Sequence, residues 1–326
     1  MSKLPQQQRS SPKKLELNNI SDELTMNIAI KNKYLQNAYK RLSFLIVLIP
    51  TIGTLIGLGL LYRSGISAWE IGLLVGMYTL TAIGIEVGFH RYFSHHAFQT
   101  TTAIRIMLAI LGSMAVGGGV IYWVAHHRRH HQYADRSGDL HSPHLQGDEI
   151  GGRLRGLWHA HVGWILQGEI TNSMLFAKDL LRDPIIARIN RLQFAWVVLS
   201  LVIPAILGGT ITGTWDGVWR GLVWGGLVRI FLVHQFIWST NSICHVYGSR
   251  PFDTGDRSTN NIWLAIPTFG QSWHNNHHAF PNSAIVGLNW WQIDPSAWII
   301  RALEAVGLAW NVKTPSAATV ESKKIV

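Results

Sequence analysis

The strongest constraint on the fold of this chain is a set of long apolar runs. Residues 42–62 and 68–89 form two such runs across a short polar turn, and residues 194–211 and 216–238 form a second pair. A helix needs about 20 apolar residues to cross the hydrocarbon core of a bilayer. The pattern therefore predicts an all-α integral membrane protein with four transmembrane helices, arranged as two hairpins.

The charges agree with this topology. Charged residues make up only 14% of the chain, against about 25% in ordinary soluble proteins. With the N-terminus inside, 25 of the 28 Lys and Arg residues fall on one side of the four spans, and Arg63, Arg220 and Arg229 lie in or beside the spans. Cytoplasmic loops carry such an excess of Lys and Arg. We therefore expect a multi-pass protein whose partners include membrane lipids, with no nucleic-acid binding.

Three regions are expected along the chain. Residues 1–40 read as a disordered or amphipathic N-terminal segment, and residues 41–312 as the membrane domain with a cytoplasmic helical cap. Residues 313–326 read as a disordered C-terminal tail. The polar N-terminus carries no pattern of a secretory signal peptide, and the single cysteine, Cys244, rules out an internal disulfide.

The histidines are concentrated in three dense groups that border the apolar runs. They are His90, His95 and His96; His126, His127, His130 and His131; and His274, His277 and His278. A sparser site follows at Asn241 and His245. On a helix, residues three and four apart share a face, so two of these groups predict imidazoles that point the same way. Neutral imidazole is a good ligand for iron, copper, zinc and nickel.

The number of imidazoles exceeds what one metal ion accepts, so the groups predict a dinuclear site. No histidine is followed by glutamate, which excludes the H-E-x-x-H motif of zinc proteases. A b-type cytochrome would place its axial histidines inside the spans, where only His234 lies. We expect His144, His159, His161 and His234 to be hydrogen-bonded polar side chains without a metal.

Four motifs occur in a defined order. They are H-R-x-x-S-H at residues 90–95, H-R-x-H-H at residues 127–131, N-S-x-x-H-x-x-G at residues 241–248, and H-N-x-H-H at residues 274–278. Over roughly residues 40–305 the chain resembles the membrane fatty acid desaturase family, in particular the Δ9, stearoyl-CoA desaturase-like branch of bacterial or cyanobacterial type.

The resemblance implies a non-haem di-iron centre, with two Fe ions as the cofactor and no separate acid or base residue. Carried over position by position, it implies Asn241 as a ligand through a water molecule and nine direct ligands: His90, His95, His127, His130, His131, His245, His274, His277 and His278.

The implied activity is that of an O₂-dependent fatty acyl desaturase. It would introduce a cis double bond, at the Δ9 position, into a saturated acyl chain carried as acyl-lipid, acyl-CoA or acyl-carrier protein. Two electrons would come from an external donor such as ferredoxin or cytochrome b5. A hydroxylase or an acetylenase could use the same scaffold. From another class, a metal-binding membrane transporter or sensor is the remaining alternative.

An acyl substrate needs an apolar slot that ends near the metals. Trp123, Trp158, Trp238 and Trp263 lie near the histidine groups in sequence and are candidates for its walls, although anchoring at the bilayer interface explains them equally well. The chain departs from the Δ9 branch at Gln271, a position where members of that branch often have a glutamate. A carboxylate is therefore missing at that position.

Overall fold

The computed structural model describes residues 28–325, so residues 1–27 of the predicted N-terminal segment lie outside the described residues. The helices and strands, in chain order, are α1 (Lys33–Ser64), α2 (Ala68–Ser94), β1 (Gln99–Thr100), α3 (Thr102–Ser113), α4 (Val120–Tyr133), α5 (Ile150–Trp158), α6 (Trp164–Gln167), α7 (Ser173–Phe176), α8 (Lys178–Arg182), α9 (Pro184–Arg191), α10 (Gln193–Thr212), α11 (Trp215–His245), α12 (His274–Ala279), α13 (Pro295–Ala305), β2 (Ala309–Trp310) and α14 (Ala317–Ser322).

Four helices in the described part of the chain, α1, α2, α10 and α11, are long and apolar enough to cross a membrane. This confirms the predicted number and order of spans. The first span begins earlier than its apolar run because the Asn32 side chain caps the helix, accepting a hydrogen bond from the Leu35 N–H at 3.1 Å. The short helix α3 is apolar as well, but with 12 residues it is too short to span.

The turns of the two hairpins meet at one end of the bundle. Gly65, whose φ is 73°, ends α1, and Ser67 opens α2 through a capping box with Glu70. From the second hairpin, Arg220 contacts Glu70 at 3.0 Å and Ser64 at 2.6 Å. The other ends of α2 and α11, which carry histidines, therefore lie together at the opposite end of the bundle.

The cap packs on this opposite end. Phe89 of α2 and Val124 of α4 are fully buried in one hydrophobic cluster, which also takes in Ile186 of α9. The strands β1 and β2 form a two-stranded antiparallel pair that ties the start of the cap to its end. The hydrophobic core of the cap therefore packs against the ends of α2 and α4 that carry the histidines.

The C-terminal segment differs from the prediction of a disordered tail. Residues 317–322 form α14, Val320 packs against the cluster of Phe252 and Phe280, and Lys323 Nζ donates to the Ala279 carbonyl at 2.6 Å. Backbone hydrogen bonds add to these contacts, since the Ile325 N–H donates to the Pro251 carbonyl at 2.9 Å. Together they order a segment whose sequence is polar. Likewise, residues 33–40 of the predicted N-terminal segment belong to α1.

Candidate metal centre

Histidines from four distant parts of the chain converge beneath the membrane bundle. Within the described residues, the ligand atoms of each group lie within 4.8 Å of one another. We name the groups by their size: the five-histidine group is His90, His95, His127, His131 and His277, and the four-histidine group is His130, His245, His274 and His278. These nine are the residues that the family resemblance implied as ligands.

A change of helix type explains how α2 supplies two of them. Its last 11 residues, Gly84–Ser94, form a π-helix, and the His95 N–H donates to the His90 carbonyl five residues earlier, at 3.2 Å. In an α-helix, positions five apart point in different directions, whereas one π-turn returns them to the same side. The two imidazole centres are consequently only 4.9 Å apart.

The helices α4 and α12 lie between the two groups and contribute to both. His127 and His131 join the five-histidine group, and His130, on the neighbouring face, joins the four-histidine group. The helix α12 divides in the same manner, with His277 in the first group and the other two histidines in the second. We expected the three histidines of each helix to share one face. The structure shows this only for the pairs four residues apart, His127 with His131 and His274 with His278.

The spacing of the ring nitrogens fits metal coordination. The Nε2 atoms of His95 and His127 are 2.8 Å apart, and those of His131 and His277 are also 2.8 Å apart. The Nε2 atoms of His245 and His274 are 3.0 Å apart. Two nitrogens bound at right angles to one metal, with bonds of roughly 2.1 Å, lie about 3 Å apart. The imidazoles therefore present their lone pairs to common points.

Carboxylates hold the opposite nitrogens of these rings. The Nδ1 atoms of His130, His245 and His278 donate to Asp139 at 3.0 Å, Asp135 at 2.9 Å and Asp256 at 2.7 Å. A fourth carboxylate oxygen, Oε2 of Glu86, lies 3.3 Å from His90 Nδ1. Metal-binding histidines commonly donate their other N–H to a carboxylate, which fixes the tautomer that leaves Nε2 free for the metal. Sequence reasoning did not identify these four acidic residues.

Burial sets the protonation of most of these rings, although the carboxylate of Asp139 raises the pKa of His130. Burial lowers the pKa of His95 to about 3 and that of His278 to about 4, so both rings are neutral near pH 7. Burial alone would raise the pKa of Asp256, but the hydrogen bonds from His278, Ser258 and Thr254 hold it well below its usual value. Near neutral pH, the aspartate is therefore an ionised acceptor and its histidine partner is a neutral donor.

Asn241, His126 and Gln271 lie close to the two groups. Asn241 lines the same cavity as His130 and His274, which fits a residue that holds a metal through water. His126 is 4% exposed and hydrogen bonds through Nδ1 to the Tyr122 carbonyl at 2.8 Å. The carboxamide of Gln271 lies 3.3 Å from the Nε2 atom of His90.

The four histidines expected to be plain polar groups have other partners. His144 hydrogen bonds to the His245 carbonyl, and His159 to the Leu140 carbonyl. His161 contacts Ser242 and Gln235, and His234 contacts the Ala115 carbonyl. Each side chain therefore has a protein partner that accounts for its position.

An apolar cavity of about 620 Å³ runs from the spans α1, α10 and α11 to both histidine groups. Its walls include Trp123 and Trp238, as predicted, and its inner end includes His127 and His274. The structure differs from the prediction for the other two tryptophans. Trp158 and Trp263 lie on the outer surface of the cap, where their side chains are 64% and 88% exposed.

The fold and the site together define a mostly helical protein with four apolar helices long enough to span a membrane and with histidine groups able to bind metal. Comparison with known sequences makes this class specific. The family model for fatty acid desaturases matches residues 32–313, so the chain belongs to the fatty acid desaturase family. It is accordingly an oxidoreductase of a membrane-bound family.

The relatives differ in the substrates that their names give. The chain is 53% identical to a hex-5-enoyl-[acyl-carrier protein] acetylenase of Moorena producens, over 91% of this chain and 93% of the relative. It is 36% identical to an sn-1 stearoyl-lipid 9-desaturase of Anabaena variabilis, over 77% and 86%. It is also 35% identical to an icosanoyl-CoA 5-desaturase of Limnanthes douglasii, over 81% and 70%.

Proposed function

We propose that this protein is an O₂-dependent fatty acyl desaturase that uses two iron ions held by the nine histidines, with Asn241 acting through a water molecule. The observation that carries the proposal is the contact between one apolar cavity and both histidine groups. The cavity is lined by His127 of the five-histidine group and by His130 and His274 of the four-histidine group. Its volume lies within the range of small-molecule sites.

The bound metals would supply the activation of O₂ for the removal of two hydrogens from neighbouring acyl carbons. In balance, a –CH₂–CH₂– unit, O₂, two electrons and two protons give a –CH=CH– unit and two water molecules. The electrons come from an external one-electron donor such as ferredoxin or cytochrome b5.

The protein's own residues position the chain and exclude water. Ile85, Trp123 and Trp238 provide apolar wall next to the histidines, and the indole of Trp123 stacks on His127 with ring centres 4.9 Å apart. A methylene has no polar handle, so its position is fixed by the shape of the cavity. Asp135, Asp139 and Asp256 keep three imidazoles in the tautomer that frees Nε2.

The histidine groups lie on the cytoplasmic side in this proposal. The bundle end that carries them is continuous with the segments that hold most of the Lys and Arg residues. A soluble cytoplasmic electron donor would then reach the cap directly.

A second candidate is an acetylenase that oxidises an already unsaturated chain on acyl-carrier protein. It is favoured by the 53% identity to the Moorena acetylenase, compared with 36% to the Anabaena stearoyl-lipid desaturase. Both reactions remove two hydrogens, so the same ligands serve either. The Δ9 position expected from sequence becomes one of several to be tested.

The deciding experiment supplies purified, iron-loaded protein with a reduced ferredoxin and with acyl-lipid, acyl-CoA and acyl-carrier-protein substrates of several lengths. Mass spectrometry then measures hydrogen loss and bond position. Loss of two hydrogens from a saturated chain supports the desaturase, and an alkyne formed from an alkene supports the acetylenase. A hydroxylated main product would contradict both. Two bound irons without O₂ consumption would favour a metal transporter or sensor.

A further inference from the structure

Gln271 lies at the boundary between the cavity and the five-histidine group. Its side chain is 4% exposed and lines the cavity. The Nε2 atom of its carboxamide lies 3.3 Å from Nε2 of His90, the atom that this ring presents to its group. A polar side chain so deeply buried needs polar partners, which makes its contacts informative.

The carboxamide lies at a spacing typical of neighbouring ligands on one ion. His90 Nε2 is 3.0 Å from His277 Nε2, which in turn is 2.8 Å from His131 Nε2. The distance from Gln271 to His90 is close to these values. Because adjacent ligands of one metal lie about 3 Å apart, the carboxamide end lies where a neighbour of His90 on one ion would be expected.

The oxygen of this carboxamide is available for a metal. Among residues 28–325, Gln271 Oε1 has no hydrogen-bond partner although it is buried. The amide oxygen and nitrogen exchange places by a half-turn of the group, and their assignment follows from the surroundings. An amide nitrogen offers no lone pair to a cation, whereas the oxygen does. A cation at the centre of the group would therefore turn the oxygen towards itself.

We infer that Gln271 Oε1 is the sixth ligand of the metal held by the five-histidine group, an inference that rests on the proposed dinuclear function. Five imidazoles leave one position in a six-coordinate sphere, and the carboxamide is placed to fill it. The two metals then differ: the ion of the five-histidine group is closed, and the ion of the four-histidine group, which also holds the water bound by Asn241, keeps one open position.

Cobalt(II) is a suitable probe because its visible spectrum reports coordination number without turnover. The experiment loads intact, membrane-extracted protein with two equivalents of cobalt(II) and titrates it with azide, a small anion that binds at open positions. Wild-type protein is expected to show one six-coordinate cobalt and to bind one azide. Two azides per chain would overturn the inference.

The variants are Gln271→Leu, which removes the oxygen, and Gln271→Glu, which keeps one. Gln271→Leu is expected to give a stronger five-coordinate spectrum, to bind a second azide, and to lose one cobalt to a chelator with affinity lowered about tenfold. Gln271→Glu should keep the six-coordinate spectrum and bind one azide. It also tests the inference if the leucine variant does not fold.

The matched control is Gln193→Leu. Gln193 lines the same cavity and donates through Nε2 to the Ser113 carbonyl at 3.0 Å, but it belongs to α10, away from the histidine ends of α2 and α12. Its cobalt spectrum should equal that of the wild type. Identical spectra and azide binding in Gln271→Leu and wild type would overturn this inference alone. Fewer than two cobalt ions in the wild type would overturn the dinuclear function as well.

Discussion

At the residue scale, the pairing of aspartates with histidines is the feature that most affects the metals. Asp256 accepts from His278 Nδ1 at 2.7 Å and also accepts from Ser258 and Thr254. Its orientation is therefore fixed from both sides. A ring held in this way keeps Nε2 directed at its group without any cost of reorientation on metal binding.

We predict that Asp256→Asn lowers metal affinity at the four-histidine group by about 10- to 100-fold, because an amide no longer selects the same tautomer by charge. Chelator competition on purified protein measures this. The control is Asp253→Asn, at an exposed aspartate three residues away whose side chain accepts from the Gly255 backbone N–H at 3.2 Å. Equal metal loss in the two variants would contradict the prediction.

The sequence predicted histidines more successfully than their partners. Dense spacing marks His127, His130 and His131 as a group without any knowledge of the fold. Asp135 and Asp139 follow in a polar stretch where acidic residues are ordinary on a solvated surface. Their role depends on contacts with His245 and His130, one of which comes from a segment about a hundred residues away.

At the scale of the element, the close packing of α2 on α3 supports the π-helix. A Cβ atom built on Gly84, the first residue of the π-segment, would lie 2.1 Å from the Gly112 nitrogen and 2.3 Å from the Leu111 carbonyl carbon. Both neighbours are backbone and cannot rotate away. The helices therefore touch at the position where α2 changes its winding.

Gly84→Ala should consequently lower the stability of the protein by about 1–3 kcal/mol and reduce bound metal, since a shift of α2 moves His90 and His95. Thermal unfolding in detergent and metal analysis measure both effects. Gly72→Ala, on the same helix, adds its methyl where the described chain leaves open space and should behave like the wild type. If Gly84→Ala keeps both its stability and its metal, the close contact is not required.

A second element-level feature is the buried Arg229 of α11. Its guanidinium donates to the carbonyls of Met114 at 2.9 Å and Ser200 at 2.8 Å, so it joins α11 to α10 and to the turn after α3. That turn includes Val116, which lines the cavity and has a φ of 64°, a conformation unfavourable for a branched residue. Arg229 therefore holds a strained part of the cavity wall in place.

We expect Arg229→Met to cost about 1–3 kcal/mol for each carbonyl left without a donor and to broaden the positions of oxidation on the acyl chain. Mass spectrometry of product double-bond position, beside thermal unfolding, separates the two effects. Arg188→Met, which removes an exposed arginine of α9, should leave both unchanged. An unaltered distribution of double-bond positions in Arg229→Met would show that the turn after α3 does not set the position of the acyl chain in the cavity.

Secondary-structure elements could be predicted from the sequence where a long apolar run marks them. The four spans follow from length and apolarity alone. The π-helical segment of α2 could not be predicted in this way, because the α-helical periodicity of 3.6 residues assigns His90 and His95 to different faces. The packing of Gly84 against α3 offers a reason for the wider winding, and it is visible only in the structure. The C-terminal helix likewise depends on contacts with distant residues, such as the packing of Val320 against the cluster of Phe252 and Phe280.

At the scale of the whole molecule, the two ends of the bundle make the topology testable. The native Cys244 is buried and should react little with a maleimide. We predict that Arg63→Cys, near the turn of the first hairpin, is labelled by an impermeant maleimide from outside intact spheroplasts. Ser322→Cys, in the cap, should be labelled only after permeabilisation. The reverse pattern would place the histidines on the outer side.

The four spans agree with the prediction from length and apolarity, and the bundle brings His90 and His245 to one end. The cytoplasmic side expected from the positive charges stays a prediction. The division into five and four histidines could not be foreseen, since it follows from the position of α4 and α12 between the two groups.

A ligand set without carboxylates has an electrostatic consequence. Neutral histidines add no charge, so two divalent cations would bring four positive charges into a buried region. The carboxylates of Asp135, Asp139 and Asp256, one layer outside the ligands, would offset most of that charge. The compensating charge would then lie behind the imidazoles, which leaves the cavity side of the site apolar where an alkyl chain would lie.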